Sequence, residues 1–175
     1  MGFIRLKSIF FYPILWKTSM SLSVGAKAPN FTLKDTELKN RSLSEFAGKP
    51  VVLAFVPAAF SGVCSDEICT FESSLSTLNS LNTSVLVINV DNPFANKAWA
   101  KANNVSLPIL SDPTLVASKA YDTTFDNFVG IDGFTVSNRS VFVLNKDHEV
   151  VYAWTGENPG VAPNFDEVMA TVNSL

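Results

Sequence analysis

Only two thiols occur in this 175-residue chain, and PAAFSGVCSDEIC, residues 57–69, holds both: Cys64 and, five residues on, Cys69. Two cysteines at that spacing could be a structural disulfide, half of a metal site, inert core residues or a reactive couple. A structural zinc site wants four nitrogen or sulfur ligands. The chain has two Cys and one His, and His148 falls in a turn far along the sequence, so no metal site is expected. A static disulfide fails on geometry. In an intact helix five residues separate the two Cα atoms by roughly 8.7 Å, whereas a disulfide wants less than about 7 Å. Bridging therefore requires the helix start to unwind.

Inert or reactive cysteines remain. Cys69 also reads as a buried apolar filler. Cys64 sits in the first turn of a helix, where unpaired N–H groups and the helix dipole favour a negative sulfur. Ser61, three residues earlier, can cap that turn or offer its hydroxyl to the sulfur. Pro57 ends the preceding strand and can shield the loop. An ordinary thiol of pKa ~8.5 is a few per cent ionised at pH 7, so full ionisation raises the thiolate only about 30-fold. Part of that gain is lost, because nucleophilicity falls with pKa. A thiol enzyme also needs a donor that stabilises charge in the transition state. Arg139, directly before the apolar run SVFVL, is the candidate donor; its alternative is a solvated strand end.

The elements that must position these residues follow from hydrophobic period. VVLAFV (residues 51–56) and SVLVINV (84–90) are continuous apolar runs that suit strands buried on both faces. From Cys64 to about Leu81, Ile68, Phe71, Leu75, Leu78 and Leu81 recur at helical spacing. Residues 93–103 and 115–121 also read as helices, LPIL near Leu107 as a short strand, and 164–174 as a closing helix. SVFVLNKDHEVVYAW is a hairpin turning at residues 145–148. Residues 27–50 read as short extended pieces and a short helix capped by Ser42 or Ser44. Strands alternating with helices predict a parallel portion of sheet, and the late hairpin makes it mixed: an α/β sandwich with helices on both faces. In such sheets, sites gather where strands end and helices begin, as at residues 57–64. His148 is expected as a solvated turn residue, Tyr152 and Trp154 as packing, and Asp91 and Asp112 as caps.

Composition bounds the rest. Hydrophobic residues make up 47%, with 14 Phe, and charged residues 17%, which suits one domain with a sizeable core. The net charge of −3 excludes a general nucleic-acid binder, which needs a basic face. Two cysteines do not make a disulfide scaffold, so a reducing, cytoplasmic setting is expected. Residues 1–20 carry Arg5, Lys7 and Lys17 and no acid, with an apolar run broken by Pro13. That run is too short to span a membrane and is followed by no small-residue cleavage site. The segment reads as an extension ahead of a domain at 21–175. Met20 is a candidate start; membrane association or export, and a helix or strand docked on the domain, are the other readings. Loss of those three cations would deepen the net charge to −6.

PAAFSGVC fits the Pro-x-x-x-Thr/Ser-x-x-Cys pattern and resembles the peroxiredoxin family; the Cys64–Cys69 spacing resembles its bacterioferritin-comigratory, or Q-type, branch. Glu67, Arg139 in NRSVFVLNKDHEVVYAW, VGAKAPNFTL, INVDNPF and LPILSDP extend the resemblance over residues 22–175. It implies a thioredoxin-like three-layer fold and reduction of hydrogen peroxide or organic hydroperoxides. Cys64 would be the peroxidatic cysteine, with Ser61, Arg139 and the backbone near Val63 gripping the peroxide, Pro57 limiting water and Glu67 orienting Arg139. Cys69 would resolve the sulfenic acid, with thioredoxin or glutaredoxin as reductant. Both monomers and homodimers would fit. Ser61 departs from the commoner Thr, which predicts a modest loss of rate. The alternatives are a thiol–disulfide oxidoreductase, disfavoured because C-x-x-C is absent, and a redox-sensing or chaperone-like binding protein.

Overall fold

A computed structural model describes residues 22–175. The expected extension over residues 1–20 lies outside the described residues. In chain order the strands are β1 (Thr32–Asp35), β2 (Asn40–Ser42), β3 (Val51–Phe55), β4 (Ser84–Asn89), β5 (Ile109–Ser111), β6 (Thr124–Phe125), β7 (Val136–Ser137), β8 (Ser140–Leu144) and β9 (Val150–Thr155). The α-helices are α1 (Gly62–Ser73), α2 (Leu75–Ser80), α3 (Pro93–Asn103), α4 (Val116–Ala120) and α5 (Phe165–Asn173).

Seven strands form one mixed sheet in the order β2-β1-β5-β4-β3-β8-β9. β3, β4 and β5 run parallel; β8 lies antiparallel on β3, and β9 on β8. The two apolar runs are central because every residue of β3 is buried, as its unalternating pattern requires. Successive side chains point to opposite faces. Val52, Ala54, Val141 and Val143 therefore pack with Ile68, Phe71, Leu78, Trp99, Val168 and Val172 from the helices of one side. Val51, Leu53, Phe55, Phe142 and Leu144 pack on the other with Leu43, Ala117 and Tyr121. This is the expected three-layer α/β sandwich with a thioredoxin-like sheet. Among the described residues, no helix is long and apolar enough to cross a membrane.

Two elements differ from expectation in their boundaries. The helix anticipated over 64–81 begins earlier, at Gly62, and breaks at Ser74, which ends α1 and caps α2. The Ser73 hydroxyl donates to the Thr70 carbonyl, which also receives the Ser74 N–H at 3.2 Å. Such a side-chain competitor loosens a helix, while the apolar period continues across the break. The short strand expected near Leu107 starts at Ile109, because Pro108 has no N–H to place in a ladder. The short helix after β2 is 3-10, over Leu43–Phe46, with Ser42 as its cap and the Ser42 N–H bonded to Glu45.

Candidate active site

β3 delivers the chain to the carboxyl edge of the sheet, where Val56 makes a last backbone bond to Ile88. Pro57, buried, then turns the chain away. Phe60 adopts a left-handed φ of 62°, and Ser61 caps α1 with its Oγ accepting the Cys64 N–H at 3.4 Å. Cys64 is thus the third residue of α1, in the turn whose N–H groups have no helical partner, and its side chain is 0% exposed. Ser61 uses an acceptor lone pair in this cap, which leaves its O–H available to donate. Val63, one residue ahead of Cys64, keeps an exposed side chain at the rim.

Arg139 directly precedes β8, 75 residues later, and is 1% exposed. The solvated-end alternative is therefore excluded. Its Nη2 donates to the Cys64 sulfur at 3.2 Å and to the Pro159 carbonyl at 3.0 Å. Nε donates to the same carbonyl at 3.1 Å, and Nη1 bonds Oε2 of Glu67. A guanidinium has five N–H groups, so one, on Nη1, is left for another acceptor. Glu67, three residues past Cys64 on α1, is 2% exposed, and its Oε1 has no partner among the described residues. Burial pushes its carboxyl up to about 7, against the pull of Arg139. Burial also works against the Arg139 charge, but Glu67 and Cys64 outweigh it, and its pKa lies above the ordinary value.

Five of the anticipated residues (Pro57, Ser61, Cys64, Glu67 and Arg139) thus line one end of the sheet, with Val63 at the rim. Cys69 is on α1 with them but exposed, which removes the reading of a buried apolar filler. Both cysteines are free thiols. His148 lies at the far end of β8. It does occupy the hairpin turn but is half-buried, with Nε2 3.2 Å from the Phe46 carbonyl, rather than solvated. Tyr152 and Trp154 pack on the core as expected. Asp112 accepts the N–H groups of Val116 and Ser118 in the first turn of α4, although the cap position itself is held by Leu115.

Asp91 is not a helix cap; Asn92 fills that role for α3. The Asp91 carboxylate instead accepts the Ala59 N–H at 2.7 Å and ties the Pro57–Ser61 loop to the end of β4. Three further contributors carried no sequence signal. The Pro159 carbonyl holds the guanidinium edge. Asn138 accepts the Arg139 N–H and donates to the Gly156 carbonyl, which fastens the 156–159 loop beside it. Trp99 of α3, 1% exposed, donates its indole N–H to Ser65 at 3.0 Å. Chemically, the arrangement offers one sulfur with a cationic donor on it, at a helix start, in a water-poor setting. That suits attack on a small polar electrophile whose leaving atom takes up negative charge.

Comparison with known proteins gives a consistent set. The AhpC/TSA family profile matches residues 24–153. The thiol peroxidase of Streptococcus sanguinis is 34% identical over 160 residues, covering 90% of this chain and 93% of its own. The chloroplastic peroxiredoxin Q of Triticum aestivum is 35% identical over 136 residues, 78% of this chain and 60% of that one. In fold, the crystal structure of peroxidoxin BcpB from Mycobacterium tuberculosis superposes with a TM-score of 0.77 at 24% identity, covering 88% of this chain and 98% of the other.

Proposed function

The chain belongs to the AhpC/TSA family and is a thiol-dependent peroxidase, a peroxiredoxin, and from that premise we propose that Cys64 is its peroxidatic cysteine and Cys69 its resolving one. The observation that carries the reading is the 3.2 Å contact from the buried Arg139 Nη2 to the Cys64 sulfur. The Cys64 thiolate attacks one peroxide oxygen. The S–O bond forms as the O–O bond breaks, and the other oxygen leaves as water or an alcohol after taking a proton. Cys64 becomes a sulfenic acid.

Arg139 stabilises the charge that grows on the departing oxygen, with its unused Nη1 N–H available for it. The Ser61 hydroxyl and the first-turn N–H groups around Val63 hold the peroxide against the sulfur. Pro57 limits water at the loop, and Glu67 and the Pro159 carbonyl keep the guanidinium from swinging away. Cys69 then attacks the sulfenic sulfur, the S–S bond forms, and the oxygen leaves as water. A dithiol protein such as thioredoxin or glutaredoxin returns both thiols, which fits a reducing compartment such as the cytoplasm.

Peroxide kinetics on Cys64→Ser and Cys69→Ser with a thioredoxin system test this. Cys64→Ser should lose even a single turnover. Cys69→Ser should complete one turnover, accumulate sulfenic acid and fail only in recycling. Full recycling in Cys69→Ser would make that cysteine a bystander.

A further inference from the structure

Given the resolving role read above for Cys69, on which this inference rests, the start of α1 must unwind before the two sulfurs can meet. The helix is held differently along its length. Its carboxyl half is anchored: Glu72 accepts the N–H groups of Ser106 and Leu107 and the Ser106 hydroxyl, at 2.9, 3.2 and 2.6 Å. Phe71 is 1% exposed, with its ring edge-on to Phe165 at 5.2 Å. Unwinding is therefore confined to the turns ahead of these anchors.

At the start of α1, besides the helix's own backbone ladder, the Ser61 Oγ accepts the Cys64 N–H and the Ser61 carbonyl accepts the Ser65 N–H. Two bonds reach other elements: Arg139 to the Cys64 sulfur, and Trp99 Nε1 to Ser65 Oγ at 3.0 Å. The first involves the reacting atom and changes when that sulfur gains an oxygen. The second does not, so it persists after oxidation. Trp99 can give way little, because its ring is packed in the core with Ile68 and Phe71. Its N–H is a donor only, with no alternative role once Ser65 departs.

We propose that the Ser65–Trp99 hydrogen bond is a latch on the first turns of α1: it sets how long the Cys64 sulfenic acid waits before Cys69 reaches it, and so how readily surplus peroxide overoxidises the sulfur. The two fates compete for one species. Attack by Cys69 forms the S–S bond and releases water. Attack on a second peroxide transfers another oxygen to the sulfur, breaks that O–O bond, releases water or alcohol, and leaves a sulfinic acid. A firmer latch favours the second fate. Ser65 and Trp99 are thus positioning residues that act through the helix and touch neither sulfur nor peroxide.

The test uses the full chain. Ser65→Ala and Trp99→Phe each remove the same bond, Phe keeping most of the ring volume, and Ser65→Thr keeps the hydroxyl. Mass spectrometry after one equivalent of hydrogen peroxide first establishes the Cys64–Cys69 bridge in the unaltered chain. Stopped-flow then gives the rate of bridge formation, and a peroxide titration gives the concentration at which half of Cys64 becomes sulfinic acid. Both values should rise about fivefold in Ser65→Ala and in Trp99→Phe, the ratio that matches roughly 1 kcal/mol for one hydrogen bond.

The double variant should be no faster than either single one, and Ser65→Thr should stay near the parent. Unchanged bridge formation in Ser65→Ala, or additive effects in the double variant, overturns the latch while leaving Cys69 as resolver. So does a first peroxide step slowed fivefold with an unchanged overoxidation threshold. Absence of any bridge in the unaltered chain overturns both, and that is visible before any variant is made.

Discussion

Glu67 is where burial and ion pairing oppose each other, and replacing it by Gln decides which dominates. The carboxyl is 2% exposed, meets Arg139 through Oε2 and leaves Oε1 unpartnered among the described residues. Burial raises its pKa from 4.5 to about 7. A raised pKa means the folded protein holds the Glu67 proton more tightly than the unfolded chain does. The associated stability is fully present below about pH 4.5 and is lost as pH rises through about 7. Over that window the shift corresponds to about 3 kcal/mol. Gln keeps an acceptor for Nη1 but has no proton to lose, so Glu67→Gln should lack this loss. Urea unfolding of both proteins at pH 4.5, 6 and 7.5 measures it. The variant should gain on the parent as pH rises, by up to about 3 kcal/mol at pH 7.5. If the difference stays constant, or the variant loses ground with rising pH, Arg139 has pulled the carboxyl below its ordinary range, and burial is not the dominant effect at this site.

Arg139→Lys should lower the rate constant for peroxide by about 100-fold or more, the scale of losing one preorganised transition-state donor. A single ammonium cannot serve Cys64, Glu67 and Pro159 from one fork; stopped-flow consumption of hydrogen peroxide reads it, and a rate within threefold of the parent would contradict the role given to the guanidinium. Asp91→Ala should slow the same step by about tenfold to 100-fold, because a charge-assisted bond to the loop is worth roughly 1.5–3 kcal/mol. Asp91→Asn, which keeps an oxygen for Ala59, should recover most of the rate, and equal losses in both would place Asp91 outside loop positioning.

What could be read from residues alone divides by the range of the interaction. The Ser61 cap on Cys64 was legible because it spans three residues and needs only a helix start. The three-layer core was legible because apolar period fixes which faces are buried. Arg139 stood out as a charge beside an apolar run, but whether it faced solvent or sulfur depended on a partner 75 residues away. Asp91 was misjudged for the same reason: capping is local, whereas its real partner, Ala59, is 32 residues back. The Pro159 carbonyl carried no signal at all, since every residue has such an oxygen and only the path of the 156–161 loop aims this one. The break at Ser74 stayed hidden because Phe71, Leu75 and Leu78 keep helical spacing through it.

The long-range part of the site reduces to one feature of the sheet. β3 and β8 are antiparallel neighbours in a register that sets Phe55 opposite Ser140 and Val51 opposite Leu144. The residue leaving β3 toward Cys64 and the residue entering β8 from Arg139 therefore meet at the same edge. Side chains alternate along a strand, so a slip of one residue would turn Arg139 to the opposite face, away from α1. Such a slip would also exchange Val141 and Val143 with Phe142 and Leu144 between two tightly packed layers. The bulk of Phe142, in edge contact with Phe55 and Tyr121, fits only one of them. The guanidinium thus reaches the sulfur because of how valines and phenylalanines alternate in β8, residues that never touch the peroxide.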